Sequence, residues 1–188
     1  MSGLSVLASD RLTLRPVRLD DAEALFEVLS DRELMTWWSS GPHQSVEETR
    51  AYIEPATGSG GWRSWAITRT GGDIALGWVN AHQRRENVSE IGYILARSAW
   101  GQGIAREAVG LVLDQLFVTE GQRRVFADTD PDNRFSIGLL QKMGFVLEGH
   151  LRAEWETHIG VRDTLLFGLL RDEWLAVRQA DRAAAPSA

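Results

Sequence analysis

The chain has 188 residues, 44% of them hydrophobic and 24% charged, with a formal net charge of −6 and no cysteine. That length and balance suit one globular domain with a sizeable core, and they exclude disulfides, thiolate nucleophiles and Cys-ligated zinc. The acidic balance argues against a surface that tracks nucleic-acid phosphates, which would need clustered Lys and Arg, and fits a cationic partner or substrate better.

No apolar run approaches the ~18 residues of a membrane span, and the opening "MSGLSVLASDRL" has neither the basic start nor the apolar stretch of a signal peptide. A cytoplasmic protein with no membrane and no nucleic-acid partner is expected. One domain over 1–179 accounts for the chain. The remaining 180–188, "ADRAAAPSA", is expected to be a disordered tail.

In chain order, "RLTLRPV" (Arg11 to Val17) alternates apolar and polar residues and reads as an edge strand, because Pro16 cannot donate to a ladder. Asp20 and Asp21 suit a helix start, and Ala22, Leu25, Phe26 and Leu29 follow at helical spacing. "MTWWSSGPH" is a loop. Ser45 and Glu48 form an S-x-x-E capping box for a second helix reaching about Pro55.

From Trp62 the apolar period changes to two. "WRSWAITRT" and "DIALGWVNAH" flank Gly71-Gly72, a hairpin signal, and "VSEIGYILA" (Val88 to Ala96) adds a third strand. A helix from about Gly103 to Val118 carries its apolar stripe on Ala105, Ala108, Val109, Val112, Leu116 and Phe117. "RRVFADT" is a strand, "PDNRFSIGLLQKM" a short helix, and "FVLEGHL" and "DTLLFGLL" are two closing strands. The order β-α-α-β-β-β-α-β-α-β-β predicts an α+β fold with a mixed, mostly antiparallel sheet flanked by helices.

The most informative stretch is "SAWGQGIAREAV", Ser98 to Val109. Gly101 and Gly103 remove the Cβ atoms that would hold a ligand away from the main chain, and the helix that follows adds unpaired N–H groups and a partial positive charge. Such a bend binds anions, usually phosphate; a tight strand-to-helix turn is the plainer alternative. It is not a nucleotide-triphosphate loop, since G-x-x-x-x-G-K-[ST] occurs nowhere, nor a dinucleotide fingerprint, since Arg106 stands at the third glycine position. Thirty residues on, "NRFSIGLLQKMGF" sets Asn133 at a helix start and Ser136 one turn later. Two such strand-loop-helix units suit a long ligand with a diphosphate and an amide arm, such as coenzyme A.

With these pieces in this order, "DRLTLRP", "EIGYIL", "WGQGIAREA", "NRFSIGLLQKMGF", "EGHLRAE", "RDTLLFGLL" and "RDEW", the chain from about Ser9 to Trp174 resembles the GNAT superfamily of acyl-CoA-dependent N-acyltransferases, and within it the RimJ/RimL-type ribosomal-protein N-acetyltransferases. The resemblance implies acetyl-CoA as cosubstrate, no metal, and a V-shaped splay between the fourth and fifth strands, here Val88–Ala96 and Arg124–Thr129. It places the pyrophosphate on the bend of Gly101, Gln102, Gly103, Ile104 and Ala105, with Trp100 standing where many relatives carry Arg or Gln. The main chain of Ile94 and Leu95 would pair with the pantetheine arm, and Asn133 would hydrogen-bond it. Homodimers are common among such enzymes.

Transfer of an acyl group to an amine needs a neutral amine, a donor for the developing oxyanion and a proton for the leaving sulfur. An α-amine with pKa near ~8 is roughly a tenth free at pH 7, so a modest base suffices. Glu90 on the strand bordering the splay is the candidate base, with an outward-facing strand carboxylate as the plainer reading, and a main-chain N–H near Leu95 is the oxyanion donor. The tyrosine that many relatives use as acid is replaced by Leu140, so Ser136 is the expected proton donor. A local hydrogen-bonding role is its alternative.

By the same resemblance Trp37 and Trp38 wall the acceptor site. Trp65, Trp78 and Trp174 are assigned to the core. Glu154 and Glu156 flank Trp155 in the connection between the last two strands, where they could meet a cationic acceptor. The four histidines show no metal-ligand spacing, and no G-x-S-x-G elbow is present. The acceptor is a primary amine, either a protein N-terminus or a small molecule. The missing tyrosine leaves open a non-catalytic module of the same fold that binds acyl-CoA or a protein.

Overall fold

The computed structural model describes residues 4–57 and 61–184. Its strands are β1 (Leu7–Ala8), β2 (Leu12–Pro16), β3 (Trp62–Arg69), β4 (Gly77–Arg85), β5 (Val88–Leu95), β6 (Arg124–Thr129), β7 (Val146–Thr157) and β8 (Gly160–Leu170). They form a single eight-stranded sheet in the order β1-β2-β3-β4-β5-β6-β8-β7. All neighbours are antiparallel except β5 and β6, which run parallel, so the sheet is the mixed one that the strand pattern predicted.

Alternation along each strand sorts the side chains into two clusters. Trp65, Ile67, Val79, Ala81, Ile91, Leu95, Val125, Ala127, Phe167 and Leu169 face one side, where they pack with α4 (Ile104–Asp114), α5 (Arg134–Lys142) and Trp174 of α6 (Arg171–Ala184). Ala66, Trp78 and Ile94 face the other, against α1 (Ala22–Leu29), α2 (Arg32–Met35) and α3 (Val46–Ile53). The period of two along the strands therefore builds two separate walls.

Several elements depart from expectation. The strand at Arg11–Val17 is not the edge, because β1 pairs outside it, Leu7 opposite Leu14 and Ala8 opposite Thr13. The turn at Gly71-Gly72 forms, with the Gly72 N–H donating to Arg69 O, but β4 starts only at Gly77, where an added Cβ would lie 2.1 Å from Ile94 O. Only glycine permits that approach. Ser45 caps α3 by accepting from the Glu48 N–H at 3.2 Å, while the Glu48 carboxylate accepts from Gln44 N instead of closing a box on Ser45. The helix after the glycine bend changes to a wider, π-helical turn over Gln115–Thr119 before Gly121.

β7 and β8 are longer than expected and meet in a short turn, so Glu154, Trp155 and Glu156 lie on β7 and not in a connection. The chain then continues into α6, whose last residues reach into the stretch expected to be a disordered tail; Asp181 pairs there with Arg106, and residues 185–188 lie outside the described residues. Among the described residues no helix is long and apolar enough to cross a membrane.

Trp174 fixes α6 to the sheet: it is 3% exposed and its Nε1 donates to Asp114 Oδ1 at 2.9 Å. Trp174→Ala is expected to cost about 3–5 kcal/mol, the usual loss for a buried Trp truncation, and to lower the urea midpoint accordingly. A change below about 1 kcal/mol would show that α6 adds little to the folded core.

Candidate functional site: a forked sheet with two unlike walls

β5 and β6 pair only at Val88 with Arg124, Ser89 with Val125 and Glu90 with Phe126. Beyond that rung they diverge. Each is held on its far side, β5 by β4 as far as Leu95 and β6 by β8 along its whole length, so the fork is part of the sheet's framework and not a frayed end. The opening leads into a cavity of about 1040 Å³ bordered by β4, β5, β6 and the starts of α4 and α5.

On the α4 and α5 side, the bend at the head of α4 is built as the glycines suggested. Gly101 and Gly103 have φ of +73° and +75°, and an added Cβ at Gly101 would meet nothing within 4 Å. The first ladder bond of α4 runs from the Glu107 N–H to Gly103 O, so among the described residues the N–H groups of Gly101 to Arg106 have no partner in the chain. Neighbouring strands hold the bend from behind. Arg11 donates to Gln102 O at 3.2 Å and pairs with Glu107, and Arg69 donates to Gln102 Oε1 at 2.7 Å. The Gln102 carbonyl and side chain are thus engaged at the back, while Gly101 and Gly103 border the cavity.

Two expected contacts look different in place. The Gln102 side chain is turned toward Arg69 and Ser98 and does not border the cavity, so only its main chain belongs to the bend. The Trp100 N–H donates to Arg97 O and its Nε1 donates to Leu95 O at 2.9 Å, while its ring packs on the exposed Phe135 at the head of α5, centroids 4.8 Å apart. Trp100 therefore braces the two helix starts against each other. Arg134 and Lys142 on α5 also border the cavity, and neither has a carboxylate partner among the described residues.

The Ala96 N–H donates to Leu76 O and Ile94 O packs on Gly77, which assigns the polar groups of Ile94 to the β4 ladder. By alternation those of Leu95 face the opening. Of the pair expected to line an extended ligand arm, only the Leu95 N–H is without a partner among the described residues, since Leu95 O accepts from Trp100 Nε1, and the Ile94 side chain is buried against α1–α3.

Asn133 caps α5: its Oδ1 accepts from the Ser136 N–H at 3.1 Å. Ser136 Oγ lies 2.8 Å from the hydroxyl of Tyr93, which reaches across from β5. Burial pushes the Tyr93 phenol up to about 12, against a smaller opposing effect of the Ser136 hydrogen bond. Tyr93 is not among the candidate residues that the sequence offers. Its only local sign is its place in "EIGYIL", two residues past Ile91 on the face that points to α5. Leu140 is fully buried in the core and is not a wall residue of the cavity.

The α1–α3 side is aromatic and acidic. Trp37, Trp38, Tyr52, Trp62 and Trp78 border it; Trp38 meets Trp78 edge-on at 6.0 Å, and its Nε1 donates to the Tyr52 hydroxyl at 2.8 Å. Glu90 stands at the last paired rung, 9% exposed, with one carboxylate oxygen bonded to Arg84. Asp128, beyond that rung on β6, accepts from Trp155 Nε1 at 2.7 Å. Among the described residues no group of His, Asp and Glu side chains is arranged to hold a metal ion.

Known proteins share this arrangement. Residues 11–146 match the family described as Acetyltransferase (GNAT) domain. The uncharacterized N-acetyltransferase p20 of Bacillus licheniformis is 31% identical over 176 residues, which cover 91% of this chain and 99% of that protein. The crystal structure of a GNAT-family acetyltransferase from Bacillus anthracis superposes with a TM-score of 0.82 at 24% identity, covering 89% of this chain and 99% of the other. That of spermidine N-acetyltransferase from Vibrio cholerae, in complex with CoA and spermine, gives 0.76 at 22% identity with the same coverage. The two structures add likeness of fold; the family match and the p20 identity carry the assignment. The chain belongs to the GNAT family of N-acetyltransferase enzymes.

Proposed function

We propose that the protein transfers an acetyl group from acetyl-CoA to a primary amine that attacks the thioester directly through a tetrahedral intermediate. The observation that carries this is the bend at Gly101–Arg106, whose unpartnered amides open onto a cavity that continues through the fork to Ser136 and Tyr93. Gly101, Gly103 and the head of α4 take the pyrophosphate, with Arg134 and Lys142 beside them for the remaining phosphate charge. The Leu95 main chain runs along the pantetheine arm, and an N–H at this point of β5 meets the oxygen that gathers charge. Asn133 keeps its Nδ2 for the same arm.

Tyr93 and Ser136 divide the work at the sulfur. Burial keeps the Tyr93 phenol protonated, so it donates its hydrogen bond to Ser136 Oγ and leaves the serine hydrogen directed at the sulfur. As that hydrogen passes to the leaving thiolate the Tyr93 proton passes to Ser136, and the phenolate regains a proton from solvent. The pair fills the role that Leu140, packed in the core, cannot. Glu90 faces the other side of the fork with Arg84 on one oxygen, and its second oxygen takes the amine proton directly or through a water.

The bend and Ser136 fit the RimJ/RimL pattern, in which a protein N-terminus is acetylated. The kinship to the spermidine enzyme supports a small amine, and we favour the small amine. A thiol-release assay with acetyl-CoA tests the reading; release with any amine in a panel supports it, and no release together with no calorimetric binding of acetyl-CoA defeats it.

Ser136→Ala is expected to lower kcat by about tenfold or more while the acetyl-CoA affinity stays nearly intact. Tyr93→Phe should show a similar loss, and the double variant should be no slower than Ser136→Ala alone; additive losses would separate the two hydroxyls. Gly103→Val places a β-branched residue at φ of +75° and should weaken acetyl-CoA binding by about tenfold or more in calorimetry. Unchanged binding would remove the bend from the cofactor site.

A further inference from the structure

On the acceptor side of β5 one position has no side chain. Gly92 lies in the interior of the strand without a positive φ, so the backbone there does not demand glycine, and glycine weakens a strand. Its effect is on a neighbour. Asn80 stands opposite on β4, on the same face, and its side chain lies across Gly92 so closely that an added Cβ would come within 2.8 Å of Asn80 Oδ1. Both residues border the cavity.

The amide that fills this gap does nothing for the fold. Asn80 Oδ1 is buried without a hydrogen-bond partner, and neither end of the amide is hydrogen-bonded among the described residues. A buried carbonyl left unpaired is costly, and an apolar side chain would avoid that cost. With no bond to hold it, the amide turns about its last side-chain torsion, whose wells are broad, and the turn carries the oxygen from Gly92 to the cavity.

The strand sets its height in the fork. Tyr93, the next residue after Gly92, points to the opposite face, where its hydroxyl meets Ser136 Oγ at 2.8 Å. Glu90, two residues before Gly92, shares the acceptor face and stands opposite His82, two residues past Asn80. The Asn80 amide is therefore a neighbour of the Glu90 carboxylate and is level with the hydroxyl pair on the other side of β5.

We propose that Asn80 is a catalytic residue that positions the attacking amine: its Oδ1 accepts one hydrogen of the amine nitrogen while Glu90 takes the other. The inference rests on the acetyltransferase reading and adds a residue to that site. A neutral primary amine has two N–H bonds and one lone pair, so two acceptors on one wall of the fork leave the lone pair for the thioester carbon. The nitrogen forms its bond to that carbon, one amine proton passes to Glu90, and the sulfur leaves with the proton that Ser136 supplies. Asn80 exchanges no proton. Its carbonyl gives a partner to an N–H that loses its water on entering the cleft.

The test uses the full chain and follows thiol release from acetyl-CoA with phenethylamine, spermidine and a short peptide bearing a free N-terminus, taking the fastest of the three as acceptor. Asn80→Ala is expected to lower kcat/KM for that amine at least fivefold, with the calorimetric acetyl-CoA affinity within twofold and a urea midpoint equal to or above that of the unsubstituted protein. A structural asparagine would instead lower the midpoint. Gly92→Ala sets a methyl group where the oxygen rests and should show a similar loss, and the double variant should be no slower than Asn80→Ala alone.

A smaller loss in Asn80→Ala, a lowered midpoint, or losses that add in the double variant overturn the inference. Each of these results leaves the acetyltransferase reading standing. A protein that binds acetyl-CoA in calorimetry but releases thiol with none of the three amines overturns the inference as well, and one that neither binds nor releases overturns both.

Discussion

The site depends on a parallel pairing that stops early. Had β5 and β6 stayed paired past Glu90 and Phe126, the main-chain N–H of Leu95 would be spent on a continuous ladder with nothing else to reach it. What keeps the fork open is the support that each prong has on its far side. β5 is fully laddered to β4 and β6 to β8, so closing the gap would break bonds on the outer sides to make them on the inner. The helix starts of α4 and α5 fill the resulting notch from one face, braced by Trp100 and Phe135.

Because strand side chains alternate, the two walls of the fork differ in character without any long-range device. One face supplies amides, Arg134, Lys142 and the Tyr93–Ser136 pair, and so suits an anionic carrier with a leaving sulfur. The other supplies tryptophans, Glu90 and Asp128, and suits a cation with an apolar body. A net charge of −6 spread evenly would attract a cationic acceptor but repel an anionic carrier. Separation by strand face lets one cleft accept two ligands of opposite sign.

How much of this was legible in the chain depends on the range of each signal. The glycine bend was, because a positive φ is a local demand and "GQG" before an apolar helical stripe states it locally. Asn133 as a cap and the order of most strands were local too. α6 was not: β8 runs straight into "RDEWLAVRQADRAA", with no turn residue between, so the apolar alternation masked the start of the helix and the alanine-rich end suggested no structure. The place of Glu154 to Glu156 was hidden by an irregularity in the β7–β8 register, where Ala153 adopts φ of +53°. Tyr93 and Asp128 lay beyond reach for a different reason. Tyr93 stands out because a hydroxyl on a helix 43 residues later comes within 2.8 Å, and Asp128 because its partners Trp155 Nε1 and Thr164 Oγ1 come from the last two strands. Neither fact exists before the chain is folded.

The polar groups without partners also have a pattern. Folded chains rarely leave buried polar atoms unsatisfied, since each costs on the order of 1–3 kcal/mol, yet among the described residues Asn80 Oδ1 is buried without a partner beside the opening, where the half-buried Asp128 leaves Oδ1 unbonded and the exposed bend of Gly101 to Gly103 leaves its N–H groups to water. Elsewhere Arg15 is bonded to Asp21 and Asp73 on its way out of the core, and the buried indoles of Trp65 and Trp174 have an acceptor each, whereas Ser40 Oγ, His82 Nδ1, Ser89 Oγ and Gln122 Oε1 are buried without a partner among the described residues. What sets the groups at the fork apart is access, because they border the cavity and a ligand can reach them. The arginines behind the bend fit the same logic. Arg11 donates to Gln102 O as well as to Glu107, and Arg69 donates to Gln102 Oε1, so one carbonyl and one side chain of the bend are held from behind before any ligand arrives.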